Sequence, residues 1–171
     1  MENRWKRKGS AIVWKTAEEA LPHDDHLEMS GKMVSQYLEY GADREGKSHY
    51  HQKIVFPMLR TIPNNTHASL TEEFGQEVFP EIAVDGKAEG RETAQEVIFD
   101  GLLEMKGSLG ALAISRRFFP CAEAAAAVQK VRLSNPSSQP VQVKVMENIP
   151  SIMPKNLSCL PHSPGNSLFS R

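Results

Sequence analysis

Short runs of residues that favour extended structure, several of them alternating apolar and polar with a period of two, recur along this chain, separated by turn residues. Such runs, with Gly, Pro, Asn or Asp signals every roughly 8–12 residues, point to a sheet folded on itself, a sandwich or a barrel. The 10–15-residue amphipathic helices that a parallel α/β sheet needs between its strands are missing. In 171 residues there is room for one domain with a proper core. The expected fold class is all-β, an antiparallel β-sandwich followed by a disordered C-terminal tail.

The apolar run at 9–15 (GSAIVWK) reads as a first strand. Residues 16–30 (TAEEALPHDDHLEMS) read as a loop, because Pro22 breaks any helix begun before it. Segments 32–40 and 47–58 flank GADREG, whose glycines and Asp suit a hairpin loop. Residues 69–74, 78–84, 93–99 and 109–119 read as further strands. DGKAEG (85–90) is a turn, and DGLLEMKG (100–107) lies between two strands, punctuated by Gly101 and Gly107. The alanine run in CAEAAAAVQKV scores as helix. It flows into an alternating segment, however, so at most one helical turn is expected there. VQKVRLS, NPSSQP and VQVKVME read as a second hairpin.

The domain plan is therefore a basic N-terminal tail over 1–8, a β-sandwich over 9–149 and a Pro/Ser-rich disordered tail over 150–171. Net charge is −1, which argues against nucleic acid or an anionic membrane as partner. Only Arg4, Lys6, Arg7 and Lys8 cluster, as a solvated run does. No apolar segment approaches the roughly 18 residues of a membrane span, and no secretory leader is legible. Two cysteines, Cys121 and Cys159, exclude a disulfide framework and leave the compartment undetermined.

Residues of chemical interest are few. His23, Asp24, Asp25, His26 and Glu28 are metal-ligand types, but without helical support they read as a polar surface loop. His49 and His51 fall on one face of a strand. Arg60, Asn64, Asn65 and His67 form a polar set in one loop. Their planar amide and guanidinium groups suit paired hydrogen bonds to sugar hydroxyls, and Asn residues equally close a turn on their own backbone. Asn64-Asn65-Thr66 and Asn156-Leu157-Ser158 match glycosylation acceptors. No nucleophile elbow and no Gly-rich phosphate loop is present, so no catalytic residue, metal or cofactor is assigned.

HLEMSG (26–31), FPMLRTIPNNTHASL (56–70), SRRFFP (115–120) and VRLSNPSSQPVQVKV (131–145) carry a resemblance. Over roughly residues 9–149 the chain resembles the N-terminal β-sandwich of bacterial six-hairpin glycosidases. These are the (α/α)6-barrel enzymes related to glucoamylases, α-L-rhamnosidases and glycogen-debranching-type glucosidases. The resemblance implies a supersandwich-like domain that braces the catalytic barrel or borders its sugar-binding cleft, carbohydrate as ligand, and the barrel as partner. The family's general acid and base lie in that barrel and have no matching positions here. It also implies a family that is often secreted or periplasmic. Arg60, Asn64, Asn65 and His67, then His26 and Glu28, are the expected sugar contacts. Patterning stops after Ile149, and the expectation is a truncated product of a longer glycosidase gene whose exposed sheet face self-associates. A stand-alone carbohydrate-binding module and a structural or interaction domain are the alternatives.

Overall fold

In the computed structural model, residues 4–16, 21–60, 69–75 and 80–146 are described. They form an antiparallel all-β fold with no helix among them. Six strands, β1 (Lys6–Lys8), β2 (Ala11–Lys15), β9 (Thr93–Phe99), β10 (Leu103–Leu109), β11 (Leu112–Pro120) and β12 (Ala127–Ser134), make sheet A in the order β1-β2-β9-β10-β11-β12. Sheet B runs β3 (His23–Ser30), β4 (Ser35–Ala42), β5 (Ser48–Arg60) and β6 (Ser69–Phe74), each paired with the next. Sheet C is small, with β13 (Val143–Met146), β7 (Glu81–Val84) and β8 (Lys87–Ala88) in that order.

Alternation decides which face each strand buries. On β10 and β11 the inward residues are Leu103, Met105, Gly107 and Leu109, and Leu112, Ile114, Arg116 and Phe118. At one end of this hairpin, Leu103, Met105 and Phe118 join Trp14 and Val97 against Met29, Leu38, Tyr40 and Tyr50 of sheet B. At its other end, Leu109, Leu112 and Ile114 pack with Ile82 and Val84 of sheet C. Sheets B and C thus cover the same face of sheet A side by side. A smaller cluster, Val34, Ile54, Phe56, Leu70 and Phe74, lies within sheet B.

Local chemistry explains the turns. Between β7 and β8, Asp85 (φ 49°) and Gly86 (φ 79°) form the two-residue turn that Asp-Gly favours. In the β4–β5 loop, Asp43 Oδ1 accepts the backbone N–H groups of Glu45 and Lys47, each at 2.9 Å. This is the hairpin expected from GADREG, with Ala42 opposite Ser48.

Several expectations need correction. Residues 23–30 are strand β3, not loop: Asp25, Leu27 and Met29 turn inward while Asp24, His26, Glu28 and Ser30 face solvent. Acidic composition concealed a regular alternation, and the inward Asp25 accepts a 3.0 Å hydrogen bond from Trp5 Nε1. Lys6–Lys8, expected in the tail, pair with β2 although their side chains stay exposed. DGLLEMKG is mostly strand β10. Its Gly107 sits at a bulge, where an added Cβ would lie 2.3 Å from the Thr93 carbonyl oxygen.

The expected second hairpin does not form. β12 pairs with β11 in sheet A, whereas β13 pairs with β7 in sheet C. The link between them closes on itself, with Asn135 Oδ1 accepting the Ser137 N–H and Asn135 Nδ2 donating to the Gln139 carbonyl. Pro140 then offers no N–H to a returning ladder. Asp85 takes the Gln142 N–H at 2.8 Å and steers β13 onto β7. The alanine run makes no helix; residues 122–125 bend, and β12 starts at Ala127. The expected tail over 150–171 lies outside the described residues.

A cleft where three sheets meet

Where sheets B and C adjoin over sheet A, a cleft of about 210 Å³ opens. Its floor is polar. Ser48 and Tyr50 come from β5, Arg116 from β11, and Glu92 from the link into β9; all four are buried, with exposures of 2%, 4%, 5% and 5%. Arg116 Nε donates to both carboxylate oxygens of Glu92 at 2.9 Å. The Tyr50 hydroxyl donates to Glu92 Oε1. Burial, together with the Glu92 charge and hydrogen bond, pushes the Tyr50 phenol well above its ordinary value, so it is a neutral donor. The Arg116 guanidinium also lies 5.9 Å from the centre of the Tyr50 ring. One carboxylate therefore ties strands from both large sheets together.

The walls add other groups. Glu89 lines the cleft from the end of β8, its backbone N–H bonded to the Ile82 carbonyl, and its carboxylate lies against Gly110. Arg91 lines it too and pairs with Asp43, which fixes the cleft rim to the β4–β5 turn. Backbone bonding from Lys47 comes first among the causes that hold the Asp43 carboxyl below its usual value, with the Arg91 contacts adding to it. Leu109 and Ile82 give the cleft an apolar side.

The opposite face of sheet B is solvent-facing and dense in ionisable groups. His26 and Glu28 of β3 are both exposed there. His26 lies opposite Glu39 and 5.6 Å from the Tyr37 ring; Glu28 lies opposite Tyr37. His49 and His51 share this face: His49 Nε2 is 2.7 Å from Asp24, and His51 stands between Glu39 and Glu73 at 3.7 and 4.0 Å. Lys53 pairs with Glu73 at 2.8 Å. Among the described residues, no three His, Cys, Asp or Glu side chains converge to hold a metal ion.

Of the six expected sugar contacts, the structure brings His26 and Glu28 onto one face. Asn64, Asn65 and His67 lie outside the described residues, as does the Arg60 side chain. The buried floor was not anticipated. Its signal was present in the alternation Leu112, Ile114, Arg116, Phe118, where a charged residue occupies an inward position.

Comparison with protein-family models, with curated proteins and with solved structures finds no match.

Proposed function

We propose that the chain is a non-catalytic β-sandwich domain of a carbohydrate-active glycoside hydrolase, which braces or borders a sugar-binding cleft completed by a separate catalytic domain. The observation that carries this reading is the commitment of Glu92. Its oxygens accept from Arg116 and Tyr50. A carboxylate so engaged holds two sheets in place and has little freedom to shuttle a proton, the task a glycosidase asks of its acid and base.

Two surfaces support the rest. On sheet B, the imidazole, phenol and carboxylate groups of His26, Glu28, Tyr37, Glu39 and His51 lie on neighbouring strands of one exposed face. Hydroxyl-rich ligands are recognised by such mixed donors and acceptors. On sheet C, Val143 and Val145 lie opposite the buried Val84 and Ile82, yet are 38% and 52% exposed at the edge. That apolar overhang suits contact with another folded unit.

The test is to assay the purified 171-residue chain on a panel of aryl glycosides while measuring its light scattering. No turnover together with self-association is the expected result. Clear turnover by a monomer overturns the proposal, because the catalytic carboxylates would then lie within these residues.

A further inference from the structure

We propose that the three-sheet cleft is itself a binding site for one neutral sugar ring. This deepens the reading above and rests on it for the choice of carbohydrate among polyhydroxylated ligands. Three observations carry it. The first is size: a cavity of about 150 Å³ takes up one benzene ring, so a cleft of about 210 Å³ has room for a single pyranose.

The second is the floor. Ser48, Tyr50, Glu92 and Arg116 are each more than nine-tenths buried, yet all border the cleft. Hydrogen bonds made to such desolvated and mutually oriented groups are stronger than those made at an open surface. Their geometry is also held before any ligand arrives, because Glu92 locks Tyr50 and Arg116 in place.

The third is charge. Glu81, Glu89 and Glu92 line the cleft together with Arg91 and Arg116. Glu92 already neutralises Arg116 on the floor and Asp43 pairs with Arg91, so an anionic ligand meets the remaining acidic residues, Glu81 and Glu89. A neutral polyol avoids that conflict, since a hydroxyl can donate to a carboxylate and accept from a guanidinium. The apolar side formed by Ile82 and Leu109 suits the C–H face of a sugar ring, which a compact inorganic ion lacks.

The experiment titrates the isotopically labelled full chain with glucose, galactose, mannose and rhamnose, with glucuronate and glucosamine as charged comparators, and follows backbone amides by NMR. Neutral sugars are expected to give saturable shifts at Ser48, Gly90 and Leu109. Glu89→Gln, which leaves the Glu92 lock intact, is expected to weaken them roughly tenfold, the difference between a hydrogen bond to a charged acceptor and one to a neutral amide oxygen. Lys130→Ala, exposed on β12 and outside both the cleft and the sheet B face, is expected to leave them unchanged. Saturable shifts confined to the His26 face overturn the cleft proposal while leaving the carbohydrate reading standing. Absence of saturable shifts anywhere, with these sugars and with longer oligosaccharides, overturns both. Cleft binding that favours glucuronate or glucosamine, or that Glu89→Gln does not weaken, overturns the neutral-ring assignment.

Discussion

Arg116 stands where the β11 alternation calls for an apolar side chain, and the gap between sheets B and C explains why a charge is tolerated there. Glu92 meets it with two hydrogen bonds, and Tyr50 completes the group. A buried pair is costly to break because one charge is left uncompensated. Arg116→Met is therefore expected to destabilise the fold by about 3–5 kcal/mol. Arg116→Met with Glu92→Leu is expected to recover more than half of that loss, as read by urea unfolding. A double variant as unstable as the single one would mean that the pair is not the source of the penalty. Glu104 offers a pH-dependent contrast on the outer face of sheet A. Burial acts to raise its carboxyl, but hydrogen bonds from Ser115 and Arg117 and the Arg117 charge outweigh burial and hold it below its ordinary value. A carboxyl lowered in the folded state adds stability above its unfolded value, and that stability disappears as pH falls through the folded value. The stability gap between wild type and Glu104→Gln is expected to be widest near neutral pH and to narrow as pH falls from the unfolded carboxyl's value of about 4.3 through the lower folded one. Urea midpoints measured along that pH series check it, and a gap independent of pH would contradict it.

Individual strands differ in how well they protect their edges. Exposed strands commonly carry Lys or Pro to block edge-to-edge pairing. β1 does so with Lys6, Arg7 and Lys8. β13 carries Lys144, but Val143 and Val145 overhang the sheet on the side that faces the core. Among the described residues no strand pairs with its outer edge. Val145→Lys is expected to reduce self-association in light scattering while leaving the unfolding midpoint nearly unchanged, because the side chain is half exposed. Unaltered association would place the contact elsewhere, with exposed Met58 and Leu59 at the end of β5 as the next surface to vary.

For the molecule as a whole, sheet A is the common layer. Sheets B and C each pack on it, and the Glu92 group joins strands of both large sheets at their meeting point. A domain knitted in this way is expected to unfold in one cooperative step. Tryptophan fluorescence, which reports Trp14 between sheets A and B, should then coincide with far-ultraviolet circular dichroism across a urea titration. An early dichroism phase would mean that sheet C separates first.

Much of this fold was legible residue by residue. Period-two alternation and turn chemistry are local properties, so the β4–β5 hairpin and β9 could be read directly, while the turn expected over 85–90 is confined to Asp85-Gly86 because Lys87–Ala88 pair with β7 as β8. Local signals failed where composition masked alternation, as in the acidic β3, or where a glycine that permits close backbone approach resembled punctuation, as at Gly107. None of the four cleft-floor residues stood out in the sequence; on the exposed face of sheet B, His49 and His51 were legible as strand neighbours, whereas His26 and Glu28 read as part of a loop. What the sequence by itself determined is therefore the all-β class and most strand positions. Partner choice belonged to the tertiary structure: β12 and β13, adjacent in the chain, join different sheets. So did the cleft, whose floor comes from residues 48, 50, 92 and 116. The physical reason is that alternation says which side of a strand is buried but is the same for every strand. It cannot say which other face will cover it, and that depends on contacts between residues far apart in the chain.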